Sequence, residues 1–358
     1  MEENSYRLLA QRLDDLPNGF PATPEGLELE LLAKLFTPQE AALAARLRLS
    51  LESSEEIAAR VGANPEITRQ MLKSMARNGL IAAGRMEGGL GYHLMPFVVG
   101  IYEMQVGRID AELARLFEAY YRRSFKQVLG TEPPVHRVIP VGESVRVDME
   151  IHPFESITGI VDSAQAWGVL DCICRKQKSL IGEPCEHPID VCMALSHKPG
   201  VFDNSPLVRG LTKEEALATL RRAAQAGLVH TVSNSREGLT YICNCCTCSC
   251  GILRGLAEMG IANVVARSAF VNTVAEELCL ACGDCLEYCQ FDALSLNDVI
   301  HVEARRCVGC GVCVDSCPEG ALSLARRPED EILPTPQSEM DWMHQRAAAR
   351  GLDLSQVL

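Results

Sequence analysis

The chain has 358 residues, a mean hydropathy of +0.04 and a formal net charge of −13, with 47% hydrophobic and 23% charged residues. This length and balance provide for two or three folded units and exclude a disordered or collagen-like chain. All 17 cysteines fall between Cys172 and Cys317, so a small disulfide-stapled scaffold is excluded too.

The first third carries clear helix punctuation. Thr37-Pro38-Gln39-Glu40 joins a capping-box pair to a proline at the first helical position, and Ser53 with Glu56 repeats the box before Gly62. Asn64-Pro65 opens a third helix, with Ile67, Met71 and Met75 as its expected apolar stripe, ending at Gly79. Short strands at Leu80–Ala83 and Gly91–Met95 then flank a glycine-rich turn. Three helices and a two-stranded wing predict a winged helix-turn-helix. A longer helix over Tyr102–Phe125 is expected to pack beside it or to join two copies of the chain. Arg69, Lys73 and Arg77 recur every four residues on the third helix, which suits phosphate contacts. The acidic chain opposes attraction to DNA, so DNA is not the favoured partner.

The middle of the chain reads as α/β. A helix is expected from Phe154 to about Ala166, followed by a strand Trp167–Ile173 that delivers Cys172 and Cys174. Thr212 and Glu215 cap a helix ending near Gly227. Leu228–Val232 and Leu239–Ile242 are expected as hairpin arms, the second running into Cys243.

Cys279, Cys282, Cys285 and Cys289 are followed, 28 residues later, by Cys307, Cys310, Cys313 and Cys317 with the same spacing. Each short loop can aim three thiolates at one iron–sulfur cube while its fourth cysteine serves the other cube. One [4Fe-4S] cluster is therefore assigned to Cys279, Cys282, Cys285 and Cys317, and the second to Cys307, Cys310, Cys313 and Cys289. Ala293-Leu294-Ser295-Leu296 repeats as Ala321-Leu322-Ser323-Leu324 at the same offset, predicting a duplicated β-α-β module. Residues 272–323 hold two basic and nine acidic side chains, an excess that suits docking to a basic partner. The segment resembles the two-cluster bacterial-type ferredoxins, with one departure: Gln290 stands where that family usually has proline.

The other nine cysteines form two groups: Cys172, Cys174, Cys185 and Cys192, then Cys243, Cys245, Cys246, Cys248 and Cys250. Adjacent residues of a strand face opposite ways, so Cys245 and Cys246 are expected to serve different purposes. We read the nine as ligands of at least one further [4Fe-4S] cluster, in preference to zinc or free thiols. Cys174, Cys185, Cys192 and Cys243 are candidate members, but the quartets stay unassigned. His187 and His197 are near enough to be considered as ligands and are read instead as ordinary polar residues. The odd thiol count suggests one cysteine outside any cluster. The whole string resembles multi-cluster iron–sulfur proteins of anaerobic microbes that end in a two-cluster ferredoxin domain, which implies electron transfer within or toward a redox enzyme system.

The expected organisation is multidomain α+β: a helical, winged-helix domain over 1–134, a cysteine-rich α/β domain over 135–271, the ferredoxin module over 272–327, and a linker with a helical tail over 328–358. No dinucleotide fingerprint, P-loop or His-Glu-x-x-His is present. The expected role is single-electron relay through two, and with the extra thiols three or four, [4Fe-4S] clusters to or from a partner oxidoreductase. The alternatives are an iron–sulfur DNA-binding regulator and a subunit with a catalytic cluster at Cys243–Cys250. With no signal-peptide pattern and no spanning segment, a cytoplasmic location is expected.

Overall fold

A computed structural model describes residues 2–141, 144 and 151–358. The stretch 145–150, inside the expected 135–271 domain, lies outside the described residues. By contact the chain divides into two compact units, one built mainly from 1–132 and 343–358, the other from 133–179 and 184–342.

The first unit begins with α1 (Glu2–Asp14), α2 (Leu27–Leu35) and α3 (Pro38–Ala44), the last opened by the Thr37–Glu40 capping box. Strand β1 (Glu52–Ser53) leads into α4 (Ser54–Val61), which has the second box and stops at Gly62 in the left-handed conformation. Helix α5 (Pro65–Arg77) starts where Asn64 accepts from the amides of Glu66 and Ile67. It buries Thr68, Leu72 and Met75, while Ile67 is 62% exposed. The expected stripe of Ile67, Met71 and Met75 is thus off by one residue at its first two positions. A strict four-residue step drifts around a helix of 3.6 residues per turn, whereas 68, 72 and 75 stay on one side. Strands β2 (Ala82–Met86) and β3 (Gly89–His93) form a hairpin about two residues from the expected positions, and β1 pairs with β3 to make three strands in the order β1-β3-β2.

The long helix also starts later than expected. Asp110 accepts from the Leu113 amide at 2.8 Å and sets the start of α6 (Ala111–Leu129). Tyr102 belongs to an irregular turn before it and stacks on Phe117 with ring centroids 3.7 Å apart. A C-terminal helix, Glu339–Arg350, ends at left-handed Gly351. Its Arg346 is fully buried in the first unit, where Nε donates to Pro17 O at 2.9 Å and the other nitrogens reach Thr131 O and Val128 O.

The second unit holds a six-stranded antiparallel sheet ordered β4-β8-β9-β6-β5-β7. Its strands are β4 (His136–Ile139), β5 (Ala166–Leu170), β6 (Cys192–Ser196), β7 (Arg209–Leu211), β8 (Val229–Ser233) and β9 (Tyr241–Cys245). Side chains alternate across it. Met193, Leu195, Val232 and Ile242 share a core with α7 (Ile157–Ser163) and α9 (Lys213–Gln225). The expected helix over 154–166 is shorter because Pro153–Glu155 forms a separate turn and Ser156 caps α7. The expected strand ends at Leu170, and helix α8 (Ile173–Leu180) rather than a strand carries Cys174. A further short helix, α10 (Arg254–Met259), follows the last of these cysteines.

Beyond it, β10 (Phe270–Val274), α11 (Asp284–Tyr288) and β11 (Leu294–Leu296) precede β12 (Ile300–Val302), α12 (Val312–Asp315) and β13 (Leu322–Arg326). β10 pairs with β13 and β11 with β12, both antiparallel. Helix and sheet are thus mixed throughout the chain.

Candidate iron–sulfur and metal centres

Two cavities open between the short helices and strands of residues 270–326. One is lined by Cys279, Cys282, Cys285 and Cys317. The other is lined by Cys289, Cys307, Cys310 and Cys313. These are the two quartets drawn from the spacing. In each loop the glycine before the helix is left-handed, Gly283 at φ 85° and Gly311 at φ 76°, which turns the chain around the cavity. At Gly309 a side chain would collide with Phe270 O, so the loop can lie against β10 only with glycine there. The amide of Ala293 donates to Cys289 Sγ at 3.3 Å, and 28 residues later the amide of Ala321 donates to Cys317 Sγ at 3.3 Å. Asn272 Nδ2 donates to Cys313 Sγ at 3.1 Å. Burial pushes the Cys285 thiol up to about 11 and the Cys310 thiol up to about 12. Thiols so placed ionise only for a cation that compensates them. Four sulfurs lining one cavity suit an iron–sulfur cube.

The other nine cysteines separate by strand alternation. Cys192 on β6 lies across from Cys243 on β9 by the register that pairs Met193 with Ile242. Cys243 and Cys245 share a sheet face opposite the Ile242 core, and Cys172 follows two residues after Leu170, which pairs with Cys192. Cys174 enters from the first turn of α8, and Cys250 closes a turn in which its amide donates to Cys246 O at 3.0 Å. Side-chain contacts link Cys192 to Cys172, Cys172 to Cys174, Cys174 to Cys250, Cys250 to Cys245, and Cys245 to Cys243. Six thiols therefore line one buried patch of sheet. Thr231 on β8 touches Cys245 Sγ at 3.6 Å and His136 Nδ1 at 3.3 Å, placing polar partners beside the group.

The remaining three, Cys185, Cys246 and Cys248, converge with His187, all four donor atoms lying within 4.8 Å of one another. Cys245 and Cys246 thus go to different groups. His187 joins thiols, contrary to the expectation of an ordinary polar residue, whereas His197 is exposed and pairs with Ser163 O at 3.0 Å. Of the four candidate members of one quartet, Cys174, Cys192 and Cys243 share the six-thiol group and Cys185 does not. The sequence signal for His187 is its place two residues from Cys185, the same gap that separates Cys246 from Cys248.

Arg175 lies between the two groups. It is 3% exposed and donates to Pro188 O at 3.1 Å, Asn244 O at 2.8 Å and Cys246 Sγ at 3.5 Å. Its Nε is buried with no hydrogen-bond partner among the described residues. A buried guanidinium with a spare donor suits a negatively charged group beside it. Burial works against its charge, but Cys172 and Cys246 hold its pKa above the usual value. The Cys246 thiol is pulled down to about 3 by its hydrogen bond with Cys248, reinforced by His187 and Arg175 against its burial.

Gln290 gives the departure from the ferredoxin pattern a purpose. Its Oε1 accepts from the Thr247 amide at 2.6 Å and its Nε2 donates to Gly227 O. A proline here would lack both contacts.

Residues 278–321 match the family described as the 4Fe-4S dicluster domain. The match covers all eight cysteines of the two cavities and defines a ferredoxin-like iron–sulfur domain that binds 4Fe-4S. No curated protein and no solved structure matches the chain. Among the described residues no helix is long and apolar enough to cross a membrane.

Proposed function

We propose that this protein is an electron carrier that passes single electrons between a donor protein and an acceptor oxidoreductase. The observation that carries the reading is the pair of cavities, each walled by four cysteines within the matched domain. Cys279, Cys282, Cys285 and Cys317 would hold one [4Fe-4S] cluster, and Cys289, Cys307, Cys310 and Cys313 the other. The recurring contacts at a 28-residue offset support reading the module as a duplicated β-α-β unit. Cys172, Cys174, Cys192, Cys243, Cys245 and Cys250 would hold a third, polynuclear iron–sulfur group, since six thiols exceed what one ion accepts. Such clusters supply one-electron oxidation and reduction. The protein chain sets the donors around them.

The first cavity faces outward. Cys282 is exposed, and Leu278 and Leu280 are 47% and 70% exposed. An apolar spot rimmed by the acidic side chains of 272–323 suits a partner with a basic margin around an apolar centre. Helices α3–α5 with the β1-β3-β2 sheet support a winged-helix reading of the first unit. There Arg69 is engaged by Glu66 at 2.7 Å, which weakens the basic face and favours protein docking over DNA. A cytoplasmic setting and an anaerobic host fit the reduced thiols this function needs.

Iron and sulfide analysis of the anaerobically purified full chain tests the reading: about 12 iron atoms with similar sulfide are expected per chain. A value near 8 removes the third group, and no reducible cluster at all removes the relay. Asn272→Leu should lower the potential of the cluster at Cys313 by about 40 mV, the equivalent of one hydrogen bond of about 1 kcal/mol to the more negative reduced state. An anaerobic potentiometric titration showing no change would assign Asn272 to packing alone.

A further inference from the structure

Three cysteine sulfurs and one imidazole meet at Cys185, His187, Cys246 and Cys248 in a geometry unlike the two cavities. Their donor atoms all lie within 4.8 Å of one another, and Cys248 Sγ is 3.7 Å from His187 Nδ1. A tetrahedral ion with Zn–S near 2.3 Å and Zn–N near 2.0 Å places its ligand atoms roughly 3.5–3.8 Å apart. A four-iron cube instead carries each thiolate on a different iron and pointing outward, so its sulfurs stand wider apart and enclose space. The contrast is present within this one protein: each ferredoxin quartet lines a cavity, while these four donor atoms lie within 4.8 Å of one another.

We propose that Cys185, His187, Cys246 and Cys248 bind one zinc ion in a closed structural site. The donors are borderline-soft and four in number, the set that tetrahedral Zn²⁺ takes when no position is left for substrate. Three thiolates around a divalent ion leave one net negative charge, and the guanidinium of Arg175, 3.5 Å from Cys246 Sγ, offsets it. The ion ties the segment carrying Cys185 and His187 to the turn after β9. That turn also carries Cys250 and adjoins Cys245, so the zinc fixes two sulfurs of the neighbouring six-thiol group without belonging to it. The site accounts for the odd cysteine number: the histidine completes a set that three cysteines begin. This inference is independent of how many iron clusters the chain holds.

The test is elemental analysis and zinc-edge X-ray absorption on the full chain, purified anaerobically from medium containing both iron and zinc. About one zinc per chain is expected, with about three sulfur neighbours near 2.3 Å and one nitrogen near 2.0 Å. Cys248 is exposed, so Cys248→Ala is the mildest variant; it should lose about fivefold or more of the zinc and leave iron unchanged. Zinc below about 0.2 per chain in the parent protein, a zinc edge without sulfur neighbours, or loss of iron instead of zinc in Cys248→Ala would each overturn the proposal. If the variant does not fold, the absorption spectrum of the parent decides alone. Iron is counted separately, so a failed electron relay and a failed zinc site give different results.

Discussion

Replacing Arg175 with methionine should destabilise the 133–342 unit by about 3–5 kcal/mol, the cost of removing one partner from a buried charged network. Three groups lose their donor at once: the carbonyls of Pro188 and Asn244, and Cys246 Sγ. The Asn244 carbonyl is left unpaired in a buried place and the Pro188 carbonyl in a part-buried one, and the sulfurs nearby lose a compensating charge. Arg175→Lys keeps the charge but not the planar fork, so it should recover only part of the loss. Denaturant unfolding of the anaerobic, metal-loaded protein reads the difference. A methionine variant as stable as the parent would show that the buried guanidinium is dispensable.

Arg346→Ala should cost the first unit on the order of 3 kcal/mol. This guanidinium is fully buried and donates to the carbonyls of Pro17, Thr131 and Val128. Burial lowers its pKa to about 10, so the side chain stays charged at neutral pH and the carbonyls work against its desolvation. Because the network joins the C-terminal helix to the segment around Pro17 and the end of α6, its loss should free residues 343–358. Hydrogen exchange should show that helix opening first.

The grouping of the eight ferredoxin-domain cysteines around two cavities was legible because they sit on short loops, where spacing in sequence is nearly distance in space. The other nine cysteines were not, since their sorting depends on strand register. Whether Cys192 meets Cys243 is settled by the pairing of Met193 with Ile242, a contact between strands almost 50 residues apart. β6 itself, Cys-Met-Ala-Leu-Ser, is too short and too mixed to announce a strand. The alternation rule did separate Cys245 from Cys246, as the strand geometry requires. Capping boxes at Thr37, Ser53 and Thr212 marked helix starts well, because each is a local exchange of hydrogen bonds. The start of α6 was missed: the cap at Asp110 prevails over the apolar run before it, which Tyr102 uses for tertiary stacking on Phe117.

Gln290 bears on modularity. A ferredoxin unit of about 50 residues is ordinarily an exchangeable cassette, joined to its host by a linker. Here the residue after Cys289 clasps the Thr247 amide and Gly227 O, so the cassette is stitched to its host through a side chain as well as through the chain ends. A transplanted ferredoxin with proline at that position would keep all eight ligands and leave the seam between the two territories open.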